Sequence, residues 1–448
     1  MNKVTYDHST NYTVSVVKLP VKQKIEGFDN LVKVDIFGNS CLISKDSDPD
    51  KLYLFFPAES CLSPTFLKEN NLYRESQLNS NPEEKGFFDL KGRVKALKMR
   101  GVVSTGFVTP IDSLSPLFPG VDLSVKLNIG DEFNELDGVE ICRKYVPANT
   151  SEGNSVKANK QAKTNNKLKD LLVPNQFRFH SETSHLSKHL NLFKDDSQII
   201  VITDKWHGSS CILSKVLVHK DLKWYERLLN KLGGKIPNKE YGYVFSSGKP
   251  KSNLPKGVLH LDETEKFKSH TGDFYSSNIW KQAFEDYKHT LEDGISIYSE
   301  LVGFTKDGGA IQKGYDYGCA PGEYKMVVYR ITYTKPDGNV IEFSWQQVKD
   351  YCSKYELQYV PEFFFGSLSQ WGNVGKDGFA EEFFEVLQTS YNMEKLDKYC
   401  VNKVPAEGIV VRVDGKESFQ AYKLKAKLFL KKESEDLDSG DVNVEDQI

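Results

Sequence analysis

Apolar and polar residues alternate with a period of two in short runs over the first third of the chain. The runs 13–17, 31–36 and 51–56 each place one set of side chains on either face of an extended strand, and Gly, Asp and Pro separate them. Residues 1–147 are therefore expected to form a β-rich unit. The next stretch, 149–169, is rich in Ser, Asn and Lys with almost no apolar residue, and predicts a flexible basic linker over 148–175. Periodic structure resumes near Phe177. The compact run Ile199-Ile200-Val201-Ile202 reads as a buried strand. The runs 295–301 and 324–333 read as further strands, and 281–291 and 381–389 have helical spacing. The expected class is α+β, with a second unit over 176–430 and no internal repeat.

Composition narrows this picture. Apolar residues make up 39% and aromatics 12% of 448 positions, enough to build cores rather than a disordered chain. No apolar run approaches the ~20 residues that a membrane helix needs, and the first residues lack the apolar stretch of a secretory signal. The seven cysteines are scattered without a CxxC pair, which points away from a zinc ribbon and toward a cytoplasmic or other reducing compartment. Nothing demands an obligate protein partner. The net charge of −3 looks wrong for a nucleic-acid binder, but residues 433–448 carry seven acids and no base. Such a segment predicts a protruding, disordered acidic tail over 431–448. Basic residues gather elsewhere: Lys91, Arg93 and Lys95 are spaced to share one strand face, and Lys98 and Arg100 extend the patch. Ordinary solvated strand faces carry such runs too. A basic face on a small β-barrel is also how oligonucleotide-binding folds hold backbone phosphates.

The candidate chemistry begins at Lys205-Trp206-His207-Gly208-Ser209-Ser210, a lysine delivered by a strand to a glycine turn. An amine is a nucleophile once it loses its proton. Near the C-terminus stand Glu407-Gly408-Ile409-Val410-Val411-Arg412 and Tyr422-Lys423-Leu424-Lys425, where 411–413 and 418–424 read as two strands joined at Asp414-Gly415. A two-residue loop would set Glu407 opposite Tyr422. A three-residue loop with Gly415 as the bulge residue would set it opposite Ala421, on the face of Lys423 and Lys425. The second register is expected, because a metal-binding carboxylate and two phosphate-binding lysines belong on one face. Glu300 and Tyr298 share a strand face, where a half-exposed rim carboxylate is the plain alternative. Tyr329 lies central in its strand, as a core ring or as one that stacks on a purine. His180, His185 and His189 lack the spacing of a zinc motif and are expected to be structural or pocket residues. Trp206 is a core ring or a substrate contact. Ser209, Ser210 and Cys211 have no base at recognisable spacing, so a serine or cysteine hydrolase is rejected. Neither a P-loop nor a dinucleotide glycine motif occurs.

Taken in order, these segments resemble the motifs of the covalent nucleotidyltransferase superfamily of ligases and mRNA-capping enzymes. Lys205-Trp206-His207-Gly208 looks like the first motif, which implies Lys205 as the residue that becomes lysyl-AMP. Ser299-Glu300-Leu301-Val302-Gly303 implies Glu300 on the ribose hydroxyls. Val327-Val328-Tyr329-Arg330 implies Tyr329 stacked on adenine. The segment from Glu407 implies that carboxylate near a Mg²⁺ or Mn²⁺ ion, and Lys423-Leu424-Lys425 implies phosphate contacts. Ser246-Ser247-Gly248-Lys249 sits where the family has a Ser-Arg type segment, but the arginine is missing. His207 stands where many DNA ligases carry Asp, which is more like RNA ligases.

Domain order narrows the branch. DNA ligases and capping enzymes carry an OB domain after the Lys-x-Lys motif, and here too few residues follow Lys425. The layout resembles ATP-dependent RNA ligases with an N-terminal OB domain, and Gly101-Val102-Val103-Ser104 and Asp137-Gly138-Val139-Glu140 look like that branch's leading domain. The resemblance implies an OB-type β-barrel followed by a nucleotidyltransferase domain of antiparallel sheets with flanking helices. It implies ATP as cofactor, RNA or an RNA-containing nicked duplex as substrate, and joining of 3′-OH to 5′-phosphate ends. A GTP-dependent guanylyltransferase and an inactive nucleic-acid-binding relative are the alternatives. The charging nucleotide separates the first, and absence of any covalent AMP would favour the second.

Overall fold

The computed structural model describes residues 4–5, 11–146, 171–180, 182–220, 222–248, 257–259 and 278–439. In the leading unit, Gly106–Pro110, Leu52–Pro57, Val14–Lys18 and Glu132–Phe133 form an antiparallel sheet in that order. A second sheet joins Gln23–Lys24, Leu31–Ile36 and Asn39–Ser44. Alternation splits Leu52–Pro57 between two cores. Leu54 and Phe56 pack with Val14, Phe66, Leu114 and Phe133, while Tyr53 and Phe55 pack with Val34 and Cys41. Hydrogen-bonded strand pairing does not close into the barrel expected from the sequence, among the described residues. The later strands are too short to carry a sheet round: Glu135–Leu136 and Val139–Glu140 are two residues each, separated by Asp137 and Gly138 at positive φ.

The second unit is two antiparallel-rich sheets over one core. The larger runs Gly257–Leu259, Lys239–Ser247, Ser209–His219, Ile295–Gly303, Tyr324–Thr334, Val340–Glu342, with Gln358–Tyr359 parallel beside Tyr324–Thr334. The smaller runs Ser184–His185, Gln420–Lys425, Gly408–Val413, Ile199–Lys205, Glu362–Ser367. Ile200, Ile202, Ile409, Val411 and Leu424 join Cys211, Leu213, Ile297, Leu301 and Val328 in that core, all buried. The alternate residues of the same strands face the other way and are left to build a site. Helices flank the sheets. Ile279–Tyr287 starts two residues before the expected helix because the Asn278 side chain accepts from the Lys281 amide, and it buries Trp280 and Phe284. Trp345–Lys354 opens on a Ser344–Gln347 capping box, and Phe379–Tyr391 covers the expected 381–389.

Two expectations at the domain margins are corrected. The acidic tail does not begin at residue 431: Lys427–Ser439 is a helix with Ser434 and Leu437 buried. Its acids find cations elsewhere in the chain, with Lys425 on Glu433 at 2.8 Å and Arg93 on Asp438 at 2.5 Å. Residues 440–448 lie outside the described residues. Of the linker, 148–170 lie outside them too, whereas Leu172 bridges to Val218 and Val173 is buried, so the second unit's packing already includes 171–175. All seven cysteines are free thiols. Among the described residues no helix is long and apolar enough to cross a membrane.

Candidate nucleotidyl-transfer site

The register of the smaller sheet builds one wall of a cavity. Lys205 pairs with Gly408, Thr203 with Val410 and Val201 with Arg412, while Val410 pairs with Lys423 and Gly408 with Lys425. These partners share a face, so Val201, Thr203, Lys205, Val410, Arg412, Lys423 and Lys425 all line a cavity of about 420 Å³. Glu300 and Tyr329 from the larger sheet complete it.

Two glycines make the arrangement possible. At Gly208 a Cβ would stand 2.4 Å from the Leu301 carbonyl oxygen and 2.7 Å from Glu300 Cγ, so the turn after Lys205 can lie against the Glu300 strand only without a side chain. Gly408 has φ 143°, and a Cβ there would meet the Leu424 oxygen at 2.1 Å. The hairpin is not the three-residue turn expected. Gly408–Val413 and Gln420–Lys425 are joined by residues 414–419, and Glu407 lies beyond the paired strands, its carbonyl accepting from the Ala426 amide. Strict alternation would send Glu407 to the core face with Ile409. Gly408 ends that alternation, and Glu407 Oε1 sits 2.7 Å from Lys205 Nζ, its side chain 1% exposed. Glu407 Oε2 is 3.9 Å from His207 Nδ1.

Tyr329 owes its place to a β-bulge. Tyr298 pairs with Arg330 and Ser299 with Val328, which leaves Tyr329 as the extra residue. Its hydroxyl lies 3.4 Å from Ser210 Oγ, and its ring meets His180 edge-on at 5.2 Å. Burial, with the nearby Glu300 carboxylate, pushes the Tyr329 hydroxyl far up, so it stays protonated. Ser210 is the strand partner of Glu300.

The lysines differ in electrostatics. Burial holds Lys423 below the ordinary lysine range; Glu182 opposes this, and the charges of Lys425 and Lys205 add to it. Burial acts on Lys425 likewise, but Glu433, Tyr12 and Glu407 outweigh it, so Lys425 ends well above that range. One strand thus presents a firmly cationic ammonium and a second whose charge is costlier.

His180 lines the cavity with Ser247 and Gly248, and Lys249 lies outside the described residues. His185 and His189 are not on one α-helix, since a 3-10 turn, Leu186–Lys188, separates them. His185 is pushed down to about 3, first by burial and then by Lys423 and Lys188. Trp206 stacks on Tyr317 at 4.3 Å. The basic run does not form a strand face. Arg93 is 2% exposed, held by Glu59 at 3.3 Å and Asp438, and is corrected from a nucleic-acid contact to an internal tie. Lys95 pairs with Asp89 and Asp438, both at 3.0 Å, whereas Lys91, Lys98 and Arg100 are exposed. Tyr12, Lys144, Glu182, Asp204 and Glu433 line the cavity and carried no motif that could have announced them. Asp204 accepts from the Tyr391 hydroxyl at 2.7 Å.

Among the described residues no cluster of three or more His, Cys, Asp or Glu side chains could hold a metal alone. Glu407 with phosphate oxygens and water suits an ion such as Mg²⁺, which uses few protein ligands.

No family model matches the chain, and no curated protein does. Solved structures do. The chain is similar to a Naegleria gruberi RNA ligase, a lysine-to-methionine mutant with AMP and Mn, at TM-score 0.54 and 15% identity, over 94% of this chain and 98% of that one. It is similar to the same RNA ligase with PPi at TM-score 0.54 and 14% identity, over the same shares. A lysine-to-alanine mutant with ATP and Mn gives TM-score 0.54 and 14% identity, again over 94% and 98%. At such identity the likeness shows the fold alone: α+β with several antiparallel sheets, similar to that of these RNA ligase structures.

Proposed function

We propose that the protein is an ATP-dependent RNA ligase that joins 3′-OH and 5′-phosphate ends through lysyl-AMP and a 5′-adenylylated polynucleotide. The observation that carries this reading is convergence. Lys205, Glu300, Tyr329, Lys423 and Lys425 come from four strands in two sheets and line one cavity, with Glu407 against Lys205. Tyr329 and His180 offer rings to the base, and Glu300 offers a carboxylate to ribose hydroxyls. Lys425 and Lys423 meet the phosphates and stabilise the charge that grows as pyrophosphate leaves. Lys205 Nζ forms the bond to the α-phosphorus and loses its proton; the P–O bond to pyrophosphate breaks. AMP then passes to a 5′-phosphate, and the 3′-oxygen displaces it. A Mg²⁺ or Mn²⁺ ion, held through Glu407, would supply further charge neutralisation. The exposed Lys91, Lys98 and Arg100 would bind nucleic-acid backbone by counterion release. The structures with AMP, ATP and PPi support the choice of nucleotide by their likeness of fold. Seven free thiols suit a reducing compartment.

Incubation with labelled ATP or GTP, followed by sealing of nicked duplexes with ribose or deoxyribose on each side of the break, tests this. Transfer of label from ATP and sealing at a ribose 3′-OH are expected. Label from GTP alone would make the protein a guanylyltransferase, and label from neither would leave a binding protein.

A further inference from the structure

Both lysines of the Lys-x-Lys strand already hold a carboxylate. Glu433 Oε1 lies 2.8 Å from Lys425 Nζ, with both side chains largely buried at 10% and 14% exposure. Glu182 Oε1 lies 2.9 Å from Lys423 Nζ. Both acids line the cavity, so they occupy the ammonium groups that a phosphate chain would need.

Each acid is also tied to the leading unit. Glu182 Oε1 accepts from Asn11 Nδ2 at 2.9 Å, and Asn11 Oδ1 accepts from the His185 amide at 2.9 Å. Beyond it, Lys188 meets Glu132 at 2.9 Å. Next to Glu433, Ser434 donates to Glu59 Oε1 at 2.5 Å and accepts from the Ala96 amide at 2.9 Å. Arg93 then bonds the Ser434 carbonyl at 3.0 Å and Asp438 at 2.5 Å. Lys427, at the start of the same helix, reaches Ser40 at 2.7 Å. The helix Lys427–Ser439 is therefore a strap. One face of it enters the cavity, and the other is fastened to Glu59, Arg93 and Ala96.

We propose that Glu182 and Glu433 are the pocket's own anions: they hold Lys423 and Lys425 until a nucleoside polyphosphate displaces them, and the displacement at Glu433 loosens the strap's seat on the leading unit. The inference rests on the ligase reading for the identity of the ligand. Two anions compete for each ammonium, and a triphosphate carries more charge than one carboxylate. Apparent nucleotide affinity is then reduced by the fraction of molecules whose lysines are still held. The device couples nucleotide occupancy to the unit that carries the exposed basic patch.

The test uses the full-length chain, calorimetry with ATP, and amide hydrogen exchange. Glu433→Gln keeps the shape of the side chain and removes its charge, and Glu182→Gln does the same at the more exposed position. Each is expected to bind ATP about tenfold more tightly, and the double variant more tightly still. In the unaltered protein, ATP is expected to speed exchange of the Ala96 amide. In Glu433→Gln that amide should already exchange fast and respond little to ATP. A merely structural role would lower melting temperature and leave the ATP response of Ala96 intact. Unchanged or weaker ATP binding by Glu182→Gln or by folded Glu433→Gln overturns the proposal, as does an Ala96 amide indifferent to ATP. Failure of the unaltered protein to bind ATP overturns the ligase reading and the latch with it.

Discussion

Two stretches of the chain look alike on paper and end in opposite roles. The run from Lys91 to Arg100 and the strand that carries Lys423 and Lys425 both space cations two apart. In the second, hydrogen-bonded pairing with Gly408 and Val410 fixes the register, so both lysines turn to one face and into one cavity. In the first, pairing is broken into a short stretch around the bridge of Arg93 to Cys61, flanked by hydrogen bonds of Gly92 and Val94 to Leu62 and Ser60, and a separate hairpin strand at Lys98, so the side chains scatter. Arg93 turns inward to Glu59, while Lys91 and Lys98 stay in solvent. Spacing creates a functional face only where one continuous paired strand carries the alternation. The same helix, Lys427–Ser439, then answers both stretches with acids, Glu433 for Lys425 and Asp438 for Arg93.

This contrast can be broken at several points. The largest effect is expected at the nucleophile. Lys205→Gln keeps a donor for Glu407 but cannot form lysyl-AMP, so labelling from ATP should fall at least about a thousandfold with little change in melting. Arg93→Ala should act in the opposite way. It strands the buried Glu59 and should cost about 3–5 kcal/mol in denaturant unfolding; a loss below about 1 kcal/mol would return Arg93 to the surface patch. Gly408→Ala places a Cβ 2.1 Å from the Leu424 oxygen at a φ of 143°, so the strand must shift. A loss of about 2–4 kcal/mol, together with lost ATP labelling, is expected; normal labelling would show that Glu407 needs no glycine beside it.

A smaller effect concerns His185, which packs beside Lys423. Folding lowers it from 6.5 to about 3, so the folded chain keeps it neutral. The resulting stability is whole above pH 6.5 and is lost as pH falls toward 3, by at most about 1.4 kcal/mol per pH unit. His185→Asn should flatten the acid limb of a stability–pH curve by one proton's worth, and an unchanged slope would contradict its burial as a neutral ring. The smallest effect is at Lys98. Lys98→Ala should alter stability by no more than about 0.5 kcal/mol and lower the salt dependence of RNA binding by about one phosphate contact. An identical salt slope would remove Lys98 from the proposed RNA-binding surface.

Much of the site was legible from the sequence, and the gaps have physical causes. In the second unit 199–202 reads as a strand by its compact apolar run and 295–301 by alternation, whereas Ser209–His219, Lys239–Ser247 and Glu362–Ser367 carry no such reading, and it is the motif residues that show which side chains to watch. The hairpin was misread because Asp414-Gly415 looks like a local turn. In the fold Asp414 serves a distant partner, accepting from the Trp345 amide at 2.9 Å, and also pairs with nearby Arg412 at 3.0 Å, instead of closing a tight turn. The acidic segment was misread for a related reason. Counting charge along the chain sees seven acids and no base; it does not see Lys425 or Arg93, which reach those acids only through tertiary structure. Glu182, Glu433 and Lys144 were missed likewise, because no spacing links them to the motifs they join. The barrel expected of the leading unit failed on strand length, a property that alternation over two or three residues does not define.

In the proposed reaction the Lys205 amine is the group that takes AMP. The most direct measurement is mass spectrometry of peptides from the full-length protein after incubation with ATP and Mg²⁺. A single added AMP on the peptide containing Lys205, released when pyrophosphate is added, is the predicted result. AMP on any other residue, or an unmodified Lys205 in protein that has bound ATP, would contradict it.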